Sequence, residues 1–131
     1  MLLSIVYQDE FLVAISKPPG LLVHRSMLDK HETQFAVQLL RDQIGQHVFP
    51  VHRLDKPTSG VLVFALSADV ARKLGEQFAS RNIKKTYLAI VRGHTMNEGE
   101  IEHPLKEKLD KIADKSVRPD KPAQVAFTHF S

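Results

Sequence analysis

The residues His52 to Gly60, HRLDKPTSG, carry the side chains of this sequence that are best suited to chemistry. The carboxylate of Asp55 follows the guanidinium of Arg53 by two positions, and in an extended segment such a pair points to the same side. A nearby guanidinium favours the ionised carboxylate, and an ionised, partly desolvated aspartate can act as a nucleophile or a general base. The same letters also suit a plain loop, in which Asp55 only accepts backbone N–H bonds in an Asx turn.

The other side chains of this loop suit an anionic ligand. His52 and Arg53 can reach phosphates or stack on bases. Thr58, Ser59 and Gly60 supply small side chains and free amides that a ligand could approach closely. Apolar runs, VFPV and VLVFAL, flank the loop, so it is expected to stand on a buried strand that holds these groups rigidly.

The apolar pattern around the loop predicts an α+β fold, with a mixed, largely antiparallel sheet and two flanking helices. Lys17-Pro18-Pro19-Gly20 predicts a rigid turn in which Gly20 takes a positive φ. Val61 to Leu66 is a continuous apolar run that is typical of a buried central strand. Further strands are predicted twice within 5–15, around a polar turn, and at 21–24, 48–54, 86–91 and 124–130.

Both helices are predicted from apolar residues that recur on one face. The first runs from Thr33, a candidate N-cap, to Ile44, and Gly45 lies where a C-terminal cap is expected. The second begins after Ser67, another candidate cap, and ends near residues 81–82. Residues 103–122 mix both charge signs and are interpreted as either a solvated helix or an excursion over the surface.

Three motifs resemble, in order and spacing, those of the pseudouridine synthases that carry an HRLD-x-x-T-S-G loop. HRLDKPTSG matches that loop, SKPPGLLVH at 16–24 is similar to the N-terminal motif, and IKKTYLAIVRG at 83–93 is similar to the motif with the active-site tyrosine. The resemblance spans essentially the whole chain. Finer details at 23–29, 41–55 and 109–115 are most similar to the members that modify tRNA.

The resemblance implies isomerisation of a uridine within an RNA, a tRNA in particular, to pseudouridine, without a redox change, a metal or a cofactor. It implies two catalytic residues: Asp55 as the carboxylate, and Tyr87, which would stack on the uracil and whose phenol could help to move the C5 proton. Arg53 and His52 would hold the displaced nucleotide or fill its place, because a base must leave its stack to be reached. The pair Lys84 and Lys85 would meet phosphate, although an ordinary solvated pair is an equal alternative.

The chain is interpreted as a single catalytic domain, 1–131, that is incomplete. The family pattern continues with a Gly-, Arg- and Leu-rich motif whose basic residue pairs with the catalytic aspartate, and residues 94–131 contain no match to it. This N-terminal portion is therefore expected to be poorly active alone and to self-associate through unpaired strand edges, whereas the full-length enzyme is expected to be monomeric. Lys17 and His24, in the first motif, are given structural roles.

Composition sets wider bounds on function. A formal net charge of +3, with seven histidines besides, favours a polyanionic partner only weakly. The absence of cysteine excludes disulfides and thiolate metal sites. No apolar run is long enough to span a bilayer, and the opening MLLSIVYQDEF lacks the basic region of a signal peptide. We interpret the chain as cytoplasmic, with no membrane partner.

Other functions remain open on the residues alone. A non-catalytic RNA-binding module would also explain the basic balance. A glycoside hydrolase breaks a comparable bond but usually needs two carboxyl groups, and the HRLD loop supplies one. A metal site built from histidines is disfavoured, because the seven histidines form no i, i+4 pair on a helix.

Overall fold

A computed structural model describes residues 1–105 and 124–131 of the chain. The chain forms two compact units, Met1–Lys84 and Lys85–Ser131, and each is described by itself. The helix or surface excursion predicted at 103–122 lies, from residue 106 onward, outside the described residues.

The first unit is built on a four-stranded sheet with the spatial order β1-β2-β4-β3, in which every neighbouring pair is antiparallel. The four strands are combined with two helices, which confirms the predicted α+β class with a largely antiparallel sheet. In chain order they are β1 (Ser4–Gln8), β2 (Leu12–Lys17), α1 (Ala36–Ile44), β3 (Phe49–Pro50), β4 (Gly60–Ala65) and α2 (Ala68–Ala79).

The predicted hairpin at the start of the chain is confirmed, and Asp9 forms its turn. The Asp9 carboxylate accepts hydrogen bonds from the backbone N–H groups of Phe11, at 2.8 Å, and Leu12, at 2.9 Å. It also accepts one from the Tyr7 hydroxyl at 2.7 Å. These bonds, that from Tyr7 foremost, lower the pKa of the Asp9 carboxyl, and the same contact raises the pKa of the Tyr7 phenol.

The two central strands supply the core of the first unit. Six consecutive residue pairs join β2 to β4, from Leu12 opposite Ala65 to Lys17 opposite Gly60. Alternate apolar side chains of both strands and two residues of α1 are fully buried: Val13, Ile15, Leu62, Phe64, Ala36 and Leu40. The central strand predicted at 61–66 is thus confirmed as β4, shifted by one residue. Gly60, the first residue of β4, lies directly opposite Lys17, the last residue of β2.

The first helix begins later than predicted, and Thr33 does not cap it. The N-cap is Phe35, and no side chain accepts a bond there. The amides of Ala36 and Val37 donate instead to the carbonyls of Leu22 and Val23, at 2.8 and 3.0 Å. Since those carbonyls satisfy the amides that a capping side chain would take, a cap at Thr33 is unnecessary. The strand predicted at 21–24 is not formed. In its place, Leu22 makes a single parallel bridge with Phe35.

The other helix ends agree with the sequence prediction. Gly45 ends α1 in the left-handed conformation and donates its N–H to the carbonyl of Arg41, as predicted. Ser67 caps α2, accepting the Val70 N–H at 3.2 Å. The helix α2 packs on β4 and β3 and ends before Arg81. Neither helix has the length and apolar character that crossing a membrane requires, among the residues that the structure describes.

The second unit contains a two-stranded antiparallel sheet of β5 (Gly99–Glu102) and β6 (Phe127–Phe130). β6 falls inside the strand predicted at 124–130, whereas β5 was not predicted. The strand predicted at Thr86 to Val91 is wrong: this stretch is irregular, with Leu88 and Ile90 fully exposed. A strand needs a neighbour for its backbone groups, and among the described residues none pairs with this stretch.

Candidate active site

The HRLD loop presents Arg53 and Asp55 on one side and buries Leu54 between them, as the alternation of an extended segment predicts. A tight turn follows, because the Thr58 N–H donates to the Asp55 carbonyl at 2.9 Å. Within the described part of the chain, the Asp55 carboxylate accepts no backbone N–H, so an Asx turn does not explain this residue. Asp55 is exposed and therefore accessible to a ligand.

Lys17 fastens the loop directly after Asp55. Its ammonium is fully buried and donates to three main-chain carbonyls, those of Pro18 at 2.9 Å, Leu21 at 2.7 Å and Lys56 at 3.2 Å. The Lys56 carbonyl also accepts the N–H of Gly20 at 2.7 Å. Gly20 reaches this position with a φ of 86°, the conformation that the turn motif predicts. Two motifs far apart in sequence are therefore joined at one peptide.

The buried ammonium also acts on the candidate catalytic carboxylate. Burial lowers the pKa of Lys17, whereas the negative charge of Asp55 raises it. The guanidinium predicted to neighbour Asp55, that of Arg53, forms no ion pair with it among the contacts of the described residues. Sequence reasoning gave Lys17 only a structural role, because its proximity to Asp55 depends on the register that sets Lys17 opposite Gly60.

The imidazole of His52 is engaged within the fold. Its Nε2 accepts the backbone N–H of Val63, in β4, at 2.9 Å. Its ring stacks on Phe78 of α2, with the centroids 4.7 Å apart and the planes 16° from parallel. The sequence interpretation paired His52 with Arg53 as a nucleotide contact, and it contained no signal for either of these interactions.

A second connection involves the side chain of Lys56. Its ammonium forms ion pairs with Asp29 at 3.1 Å and with Glu32 at 2.9 Å, and all three groups are partly exposed. The bond to Glu32, and then that to Asp29, raises the pKa of Lys56. The segment before α1 is thereby attached to the residue that follows Asp55. No local pattern could have revealed these contacts, since 27 positions separate Lys56 from Asp29.

The remaining predicted site residues divide between the two units. Thr58 is half-buried in the turn after Asp55, in the same unit as His52 and Arg53. Lys84 is the last residue of the first unit, and it is exposed. Lys85 and Tyr87 belong to the second unit, and the Tyr87 side chain is 59% exposed there.

Comparison with known proteins gives the family. The family described as RNA pseudouridylate synthase matches residues 11–131, which include the HRLD loop and the tyrosine motif. The chain belongs to this family. It is 61% identical over 130 residues to the tRNA pseudouridine synthase C of Pasteurella multocida strain Pm70, covering 99% of this chain and 54% of that protein. It is 64% identical over 129 residues to the enzyme of the same name from Vibrio vulnificus strain CMCP6, covering 98% and 53%.

Solved structures of pseudouridylate synthase domains agree with this assignment. Human RNA pseudouridylate synthase domain containing 4 matches with a TM-score of 0.60 and 28% identity, covering 96% of this chain and 52% of that one. The human domain containing 1 shares the fold, with a TM-score of 0.69 at 23% identity, covering 97% and 50%. The chain spans about half the length of the curated relatives it matches.

Proposed function

We propose that this chain supplies the aspartate-bearing part of an enzyme that converts a specific uridine of a tRNA to pseudouridine. The observation that carries the proposal is Asp55: an exposed carboxylate on a loop that a buried lysine fastens immediately beyond it. Family membership supports the reaction class. The relatives named tRNA pseudouridine synthase C, at 61% and 64% identity, support tRNA as the substrate.

In this reaction the C1′–N1 glycosidic bond breaks, the uracil turns, and a C1′–C5 bond forms. Asp55 is the group that would attack the sugar or the base, or remove a sugar proton, and each role needs an accessible, ionised carboxylate. The positive charge of Lys17 attracts that carboxylate, and the Lys56 peptide keeps it in place. A preorganised charge of this kind does not have to be arranged at the moment of reaction.

The other predicted residues serve recognition in this proposal. Arg53, exposed beside Asp55, would hold the displaced nucleotide, and Thr58 would line the turn that the nucleotide approaches. The exposed ring of Tyr87 would stack on the uracil. Lys84 and Lys85, both exposed, would meet phosphate, which contributes affinity rather than sequence specificity.

The half-length of the chain bears on what it does alone. We propose that it lacks part of the cleft and is poorly active by itself. Exposed apolar residues in the second unit, Leu88 and Ile90 among them, would drive self-association of the isolated chain. The complete enzyme would be a cytoplasmic monomer.

The test measures tritium release from [5-³H]uridine-labelled tRNA. It uses the 131-residue chain and the same chain extended with the remaining part of the Vibrio vulnificus relative. We expect turnover from the extended protein and little from the short one. In the extended protein, Asp55→Asn should reduce turnover at least about 100-fold. The control Asp42→Asn removes an exposed helical carboxylate paired with Arg41 and should leave turnover within about twofold.

The same variants separate an enzyme from an RNA-binding module. An extended protein that binds tRNA equally well with Asp or Asn at position 55, and shows no turnover in either form, would contradict the enzymatic proposal. Robust turnover by the short chain would contradict the statement that it lacks part of the cleft.

A further inference from the structure

One backbone amide at the edge of the sheet is satisfied by a side chain instead of a strand. The strand β3 pairs only Phe49 and Pro50 with β4, opposite Ala65 and Phe64. Continued register would set residue 51 opposite Val63, but the pairing stops after Pro50. The Val63 N–H donates instead to Nε2 of His52 at 2.9 Å. A partly buried amide left without an acceptor is costly, and here the imidazole supplies the acceptor that a paired strand would otherwise provide.

This bond fixes the protonation pattern of the ring. Because Nε2 accepts a hydrogen bond, it carries no proton, and the neutral imidazole bears its hydrogen on Nδ1. The stacked contact with Phe78 holds the same ring against α2. His52 therefore connects β4 to α2 through two different interactions, one polar and one aromatic.

These contacts lie at one end of a five-residue span that is fastened at both ends. At the other end, the Lys56 carbonyl accepts bonds from Lys17 and Gly20. Between the ends, Leu54 is buried and Asp55 is exposed. A side chain on a short segment held at both ends has little freedom to move from its direction.

We propose that His52 is a positioning residue for Asp55, acting through its neutral Nε2 and its stack on Phe78 instead of through contact with RNA. The inference rests on the proposed function, because it assigns His52 a part in that reaction. A histidine that contacts RNA would contribute to substrate affinity, whereas a positioning histidine contributes mainly to the rate of the bound complex.

Two substitutions separate the polar contact from the aromatic one. His52→Phe keeps a ring for Phe78 but removes the acceptor for the Val63 amide. His52→Gln loses the ring but carries a carbonyl oxygen that can reach the place of Nε2. The matched control is His47→Phe, at an exposed histidine whose ring lies 6.0 Å from that of Phe49.

The first measurement is amide hydrogen exchange by NMR on the 131-residue chain, and it does not depend on catalysis. We expect exchange at Val63 to accelerate about tenfold in His52→Phe and to stay near the original rate in His52→Gln and His47→Phe. Unchanged Val63 exchange in folded His52→Phe would overturn the inference. If that variant fails to fold, His52→Gln decides, and rapid Val63 exchange with undiminished turnover would overturn it.

The second measurement is the kcat and KM of the extended protein with tRNA. His52→Phe should lower kcat about tenfold with KM within about twofold, and His52→Gln should recover part of the kcat. A raised KM with unchanged kcat would identify a substrate contact and overturn the positioning role. Absence of turnover in the unsubstituted extended protein would refute the proposed function, and with it the catalytic part of this inference, while the exchange result would still decide the anchoring of His52.

Discussion

The two units of this chain hold their family motifs in opposite ways. In the first unit, the HRLD loop leads into β4, whose residues Leu62 and Phe64 are fully buried. The buried ammonium of Lys17 holds this loop by donating to the Lys56 carbonyl. In the second unit, the tyrosine motif lies in an irregular stretch where Leu88 and Ile90 are fully exposed. The aspartate is thus positioned by residues of its own unit, whereas the tyrosine stretch has an apolar pattern without a paired neighbour among the described residues.

The largest expected contrast is between two leucines. Leu62→Ala opens a cavity in the core of the first unit and should lower the free energy of unfolding by about 3 kcal/mol. Leu88→Ala removes a fully exposed side chain and should change it by less than about 0.5 kcal/mol. Urea denaturation followed by circular dichroism measures both. Equal losses would show that the second unit buries Leu88 in solution.

A somewhat smaller effect is expected at the buried lysine. Lys17→Met keeps an apolar stem but leaves the carbonyls of Pro18 and Leu21 without their donor, so stability should fall by about 2 kcal/mol. The control, Lys73→Met, removes an exposed ammonium paired with Asp69 on α2 and should have little effect. Similar denaturation midpoints for the two variants would argue that the Lys17 bonds contribute nothing to the first unit.

Self-association tests the exposed apolar stretch of the second unit. If the exposed apolar stretch drives it, Leu88→Lys combined with Ile90→Lys should shift the 131-residue chain toward monomer. Leu2→Lys, at an 82% exposed leucine of the first unit, should leave the distribution unchanged. Light scattering at increasing protein concentration gives the masses. A chain that is already monomeric at high concentration would contradict the prediction.

The smallest effect is expected at the first hairpin and depends on pH. The folded pKa of Asp9 lies below its ordinary value of 3.8, so its contribution to stability is present above that pH and is lost as the pH falls through the folded pKa. Asp9→Asn should therefore be less stable than the original chain at neutral pH, and the difference should shrink in acid. Tyr7→Phe removes only the bond from the Tyr7 hydroxyl, which lowers the Asp9 pKa most, and should show part of this effect. A difference that is independent of pH in urea titrations would refute the role of the charge.

Local signals predicted most of the first unit. The hairpin around Asp9, the turn at Gly20, the strand β4 and the Ser67 cap all depend on residues close in sequence. The predicted cap at Thr33 was wrong because the first amides of α1 donate to the main-chain carbonyls of Leu22 and Val23. No pattern of side chains reveals these acceptors. In the second unit, the apolar stretch at 86–91 predicted a strand, but pairing is a property of two segments and cannot be read from one.

The sequence also predicted only part of the candidate site: the residues of the loop, but not the contacts that hold it. The motif identified Asp55 and its loop directly, since type and spacing carry that information. The charge that acts on Asp55 was assigned to its sequence neighbour Arg53, whereas the fold supplies it from Lys17 across the sheet. The pairing of Lys56 with Asp29 and Glu32 was likewise invisible, because it joins segments that only the folded chain brings together.

The three hydrogen bonds that the Lys17 ammonium donates limit its part in proton transfer. A lysine ammonium has three N–H donors, and here each is directed at a different main-chain oxygen. None remains for a carboxylate, so Lys17 can act on Asp55 only through its electric field and cannot pass a proton to it. Any acid that exchanges a proton with Asp55 is therefore a group other than Lys17, such as a bound ligand, solvent or another side chain.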